Sequence, residues 1–213
     1  MALCKQVPKH NPKNQHFGDI FAEQADLKVI AFNEYFDTLV DNNIISTVSL
    51  NGQFIEKFYR DKIDELNALI SADMHLSDAY LSENSSRSQG KKTRYKLGTI
   101  CVANDYLLTA LSRFDENNKA YLEINDYINC LLNFWSEVDR VYAGRTVALP
   151  VLGSGITRFK GYENITDQEL LELIAWTFKI NRIKFTYPSK AKIVVYEKKS
   201  DRINLLSLKS LES

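Results

Sequence analysis

The chain has 213 residues, of which 45% are hydrophobic and 25% charged; this is a globular composition and a length suited to one large domain. Its 27 basic and 27 acidic residues cancel, which excludes a global positive field for nucleic acid or an anionic membrane, so any anionic ligand must be held by local geometry. Cys4, Cys101 and Cys130 are odd in number and far apart, unlike a zinc site or a secreted disulfide framework, and they point to a reducing, cytoplasmic setting.

Residues 1–16 form a polar, proline-interrupted leader with no apolar core of a signal peptide, and no later run is long and apolar enough to span a bilayer. A single soluble domain is therefore expected over 17–213. A membrane anchor in a longer parent protein would leave no trace here. "LKVIAF" from Leu27 to Phe32 reads as a buried strand. "GQFIEKFYRDKIDELNALI" places Phe54, Ile55, Phe58, Ile63, Leu66 and Ile70 at roughly helical spacing, predicting one helix. "SENSSRSQGKKTR", around residues 82–94, reads as an exposed insertion or mobile loop; without interleaved aromatics it is no base-stacking patch.

"YKLGTICVA" reads as a strand broken at Gly98, and "KAYLEINDYINCLLNFWSEVDRVYA" as an amphipathic helix that stops at Gly144. "TVALPVL" is another short buried strand. The helix that follows opens at Thr166 or Asp167 with Gln168 or Glu169 in its first turn, a capping arrangement. "KAKIVVYEK" is a final strand, and "SDRINLLSLKSL" is either a hairpin partner or a closing helix. Alternation of strands and helices predicts an α/β fold with a central, largely parallel sheet covered on both faces.

Ligands of such sheets sit outside the carboxyl ends of the strands, which draws attention to the segments after Phe32 and Leu149. In "PVLGSGITRFKG", Gly153 and Gly155 lack the third glycine of a dinucleotide fingerprint and are followed by no Gly-Lys-Ser/Thr. What remains is either a plain turn or a nest of backbone N–H groups for an anion.

The order of motifs resembles a macro domain, the three-layer α/β/α module that binds ADP-ribose. The resemblance rests on Gly18, Asp19 and Ile20, then Asp26, "LKVIAF", Asn33, "SLNGQF", and finally Pro150, Gly153, Ser154, Gly155, Ile156 and Phe159. "IAFNEYFDT", "NNIISTVSLNGQF" and "YKLGTICV" look most like the divergent macro domains of bacterial Thoeris-type antiphage effectors.

The resemblance implies roles. Asp19, beside Ile20, would accept from the adenine amino group, although by type alone it is a turn or cap aspartate. Asn33 would contact the ribose at the reactive end, its amide both donating and accepting, or serve as a turn residue. Asn51, Gly52, Gln53 and Phe54 would form a first diphosphate loop at a helix N-terminus. Gly153, Ser154, Gly155, Ile156 and Thr157 would form the second. Phe159 would pack on a ribose or the adenine, or in the core. Arg158 would meet phosphate, an extra ligand group or solvent.

Hydrolytic macro domains carry three or four glycines and an acidic residue in the first loop, where this chain has one glycine and no evident base. His10, His16 and His75 read as surface residues. The expectation is therefore a binding module with no catalytic residue, metal or cofactor, sensing ADP-ribose or an ADP-ribose conjugate made by a TIR-domain enzyme, a small-molecule nucleotide signal. Self-association and a membrane segment outside this chain stay open. The alternatives are an ADP-ribosyl hydrolase or a reader of ADP-ribosylated macromolecules.

Overall fold

The computed structural model describes residues 18–181, 183, 185, 187–197 and 202–204. The polar leader and all but 202–204 of "SDRINLLSLKSL" lie outside the described residues. In chain order the elements are β1 (Leu27–Asn33), α1 (Leu50–Phe58), α2 (Ile63–Ala72), α3 (Met74–Asp78), β2 (Tyr80–Glu83), β3 (Thr93–Tyr95), β4 (Ile100–Ala103), β5 (Tyr106–Phe114) and β6 (Ala120–Glu123). They continue with α4 (Ile124–Val141), β7 (Val147–Pro150), β8 (Arg158–Lys160), α5 (Asp167–Asn181) and β9 (Ala191–Val194).

Seven strands make one sheet in the order β8-β6-β5-β1-β7-β9, with β4 also on β5. Pairings β1·β5, β1·β7, β7·β9 and β6·β8 are parallel, whereas β4·β5 and β5·β6 are antiparallel. The fold is thus α/β with a mixed, mostly parallel sheet. Side-chain alternation along β1 builds two cores, one on each face. Leu27 and Val29 pack with Leu107, Leu111, Tyr127, Trp135 and Ile174 under α4 and α5. Ile30 and Phe32 pack with Leu108, Phe54, Ile55, Leu66 and Ile70 under α1 and α2.

Four segments differ from the sequence expectation. The predicted helix over Gly52 to Ile70 is two helices, because five residues separate Phe58 from Ile63, and on a continuous helix that step turns the apolar stripe by about 140°. A break at Tyr59 to Lys62 resets the phase, so both helices face the sheet. "YLLTALSRF", unassigned in the sequence reading, is the long strand β5, buried on both faces and therefore without polar alternation. "AYLE" is β6 rather than the first turn of α4. The serine-rich insertion is mostly exposed, as expected, but it is the tip joining the antiparallel strands β2 and β3 and is held down by a buried Arg87.

The other strands and helices expected within the described residues match. α5 has its capping box: Thr166 N–H donates to the Glu169 carboxylate at 2.7 Å, and Glu169 N–H donates to Thr166 Oγ1 at 3.2 Å. Ala143 and Gly144, at φ 45° and 74°, close α4. No described helix is long and apolar enough to cross a membrane.

Candidate ligand-binding cleft

A cleft of about 600 Å³ opens at the carboxyl ends of β1 and β7, where Asn33 and Pro150 are the last strand residues. Its floor includes Ala31, Phe32, Leu111 and Val194. Its size falls in the range of small-molecule sites.

The first wall is the turn leading into α1. Ser49 caps that helix: its Oγ accepts from Gly52 N–H at 3.0 Å and donates to the Ser46 carbonyl at 2.6 Å. No acidic residue sits in the first turn of α1, so the positive end of the helix dipole is left for an anion. Leu50, Asn51 and Gln53 line the cleft. Asn51 is 8% exposed and its Oδ1 has no hydrogen-bond partner among the described residues. A buried acceptor without a donor is costly unless a ligand or water supplies one.

The second wall, Val151 to Thr157, is anchored below and open above. Tyr127, fully buried, donates its hydroxyl to the Leu152 carbonyl at 2.7 Å, and burial holds that phenol well above its ordinary titration range. Phe159 stacks edge-on against Tyr127 with centroids 5.2 Å apart, and its ring lies under Gly153. Gly153 is left-handed at φ 87°, a conformation glycine adopts freely. A Cβ on Gly155 would meet nothing within 4 Å. Among the described residues, no backbone carbonyl takes the N–H of Gly155 or Ile156.

Of the residues anticipated from sequence, Asp19, Ile20, Asn33, Asn51, Gln53, Gly153, Ser154, Gly155, Ile156 and Thr157 line this cleft together. Four do not. Gly52 is buried behind it, where an added Cβ would collide with the Ser46 carbonyl. Phe54 is a core residue packed on Phe32, Tyr59 and Tyr106. Arg158 and Phe159 line an adjoining depression of about 420 Å³ with Glu163 and Arg202. β8, which the sequence reading did not separate, turns Phe159 into the core and Arg158 to solvent.

Asp19 also has the turn role that its residue type suggests, since its Oδ1 accepts from Phe21 N–H at 2.9 Å. Among the described residues, the charged groups lining the cleft are Asp19 and Asp167. No lysine, arginine, histidine or cysteine joins them. An anion there would be met by N–H groups and a helix dipole rather than by cations. His75 lies elsewhere, paired with Glu137 at 2.7 Å. Cys101 and Cys130 are buried, free thiols; burial pushes the Cys130 thiol up to about 12, so it stays protonated and unreactive at neutral pH. Among the described residues, no group of three His, Cys, Asp or Glu is placed to hold a metal ion.

Residues 15–196 match the family model described as Thoeris protein ThsA, Macro domain. Thoeris protein ThsA of Bacillus amyloliquefaciens (strain Y2) is 42% identical to this chain over 198 residues, an alignment that covers 92% of the chain. The chain spans 66% of the length of that curated relative.

Proposed function

The chain belongs to the Thoeris ThsA macro-domain family, and on that premise we propose that its cleft is a sensor site for an ADP-ribose-derived signal nucleotide in Thoeris antiphage defence. The signal would be an ADP-ribose conjugate made by a partner TIR-domain enzyme. The observation that carries the reading is the pairing of two N–H-rich walls across one cleft: the start of α1, with no acidic residue in its first turn, on one side and the bare Gly155 tip on the other. Two adjacent phosphates, each charged and each needing donors, match that pair of walls.

Asp19 at one end of the cleft would accept from the adenine amino group, and Asn33 at the end of β1 would contact the distal ribose. A ligand held this way can switch a protein only by binding one conformation better than another. The test is calorimetric titration with ADP-ribose and with ADP-ribose conjugates, followed by chromatography of the recovered ligand. Saturable binding with the conjugate recovered intact is the expected result. Free ADP-ribose accumulating with turnover would replace the sensor by a hydrolase.

A further inference from the structure

The segment at the end of β1, "NEYFD" from Asn33 to Asp37, is buried although it carries two carboxylates: Glu34 is 0% and Asp37 1% exposed. Phe36 within it is left-handed at φ 50°, a strained conformation for a bulky side chain that persists only where its surroundings enforce it. Those surroundings are Phe32 of β1 and Tyr95 of the β2–β3 hairpin, which pack on its ring, and the hairpin also holds its neighbours. Arg87 donates to Asp37 through both terminal nitrogens, at 3.1 and 2.7 Å, and Lys91 N–H donates to the same carboxylate at 2.7 Å. The guanidinium also lies over Tyr35, 4.0 Å from the ring centroid, and donates to Asn118 Oδ1 at 2.9 Å. Gly90 lets the hairpin backbone come this close, since its Cβ would stand 2.6 Å from Asp37 Oδ1.

Asp37 passes this constraint to the cleft. Its Oδ2 accepts from Asn33 Nδ2 at 3.1 Å, while Asn33 Oδ1 accepts the backbone N–H groups of Tyr35 at 2.9 Å and Asp37 at 3.4 Å. The Asn33 carbonyl is therefore saturated and one N–H remains, so Asn33 can act on a ligand only as a donor. Neither Arg87 nor Asp37 lines the cleft. We infer that Arg87, acting through Asp37, is a positioning residue that fixes the Asn33 amide for the ligand's distal ribose. This rests on the reading of the cleft as an ADP-ribose site. The hairpin outside the cleft thereby sets affinity for the distal-ribose end of the ligand.

The test compares ADP-ribose with ADP, which lacks the distal ribose, by calorimetry on Arg87→Met, Arg87→Lys and Asn118→Gly. Asn118→Gly removes one Arg87 partner while keeping the left-handed backbone, φ 56°. Arg87→Met weakens ADP-ribose binding roughly ten-fold and ADP binding by less than about two-fold, and Asn118→Gly shows the same pattern at about two-fold. Arg87→Lys falls between, because an ammonium cannot reproduce the fork. Equal losses for both nucleotides, or unchanged ADP-ribose affinity in a folded variant, would overturn the inference. The Asn33 side-chain amide resonance in unliganded protein supplies a second readout, independent of any nucleotide. It shifts or broadens in all three variants, and an unchanged signal sinks the inference even if wild type binds neither nucleotide, a result that would separately remove the ADP-ribose reading.

Discussion

The two walls of the cleft both depend on glycine, for opposite reasons. Gly52, in the first wall, is required by the protein itself: a Cβ there would strike the Ser46 carbonyl, and the turn is locked by the Ser49 cap. Gly155, in the second, is required by nothing inside the protein, since a Cβ would meet open space and the residue is not left-handed. A glycine without an internal reason, at the mouth of a cleft and facing a helix N-terminus, fits a place kept clear for a ligand. The comparison separates glycines that serve the fold from those that serve the site.

Three substitutions test that separation, and a fourth probes the hairpin. The largest expected effect is in Gly155→Val, which abolishes ADP-ribose binding, a loss of at least about 100-fold, with an unchanged melting temperature. Calorimetry beside a thermal melt checks both halves. Gly52→Ala behaves in the opposite way: it lowers stability by about 3 kcal/mol in urea denaturation, because the first turn of α1 must shift away from Ser46. A stable Gly52→Ala protein would erase the distinction between the walls.

Lys91, in the hairpin, probes the contacts that hold Asp37. Its Nζ is buried without a hydrogen-bond partner among the described residues, and burial lowers its titration from 10.5 to about 8, against an opposing pull from Asp37. Below pH 8 the ammonium is charged in both folded and unfolded chains and its burial is fully destabilising. As pH rises from 8 toward 10.5, the unfolded chain holds more protons and stability increases. Lys91→Met is accordingly more stable than wild type by about 2 kcal/mol at pH 7, an advantage that fades above pH 8 in denaturation series. The smallest effect is in Ser49→Ala, which lowers stability by about 1 kcal/mol through loss of the cap.

Much of this arrangement was legible in the sequence. β1 and β7 stand out as short apolar runs, the capping box of α5 reads directly, and the motif order from Gly18 to Phe159 indicates the fold. Ten of the anticipated site residues meet in one cleft because they sit next to strand ends and a helix start, which local pattern reveals. Side-chain direction was not legible. Phe54 and Phe159 neighbour the two loops in sequence, yet the helix phase of α1 and the pairing of β8 with β6 turn both into the core. The ion pair of Asp37 with Arg87 joins residues fifty apart, inside a stretch whose serines and charges read as solvent-exposed. β5 escaped because burial on both faces leaves no alternation and Thr109 and Ser112, both buried, interrupt the apolar run that marks β1.

The most direct test of the account follows backbone amide resonances of the protein during titration with ADP-ribose. The largest shifts should fall on two separated groups, the amides of Leu50 and Asn51 at the start of α1 and those of Gly155 and Ile156 at the loop tip, moving together at one saturating stoichiometry. Saturation that leaves either group unmoved would contradict a diphosphate held between the two walls.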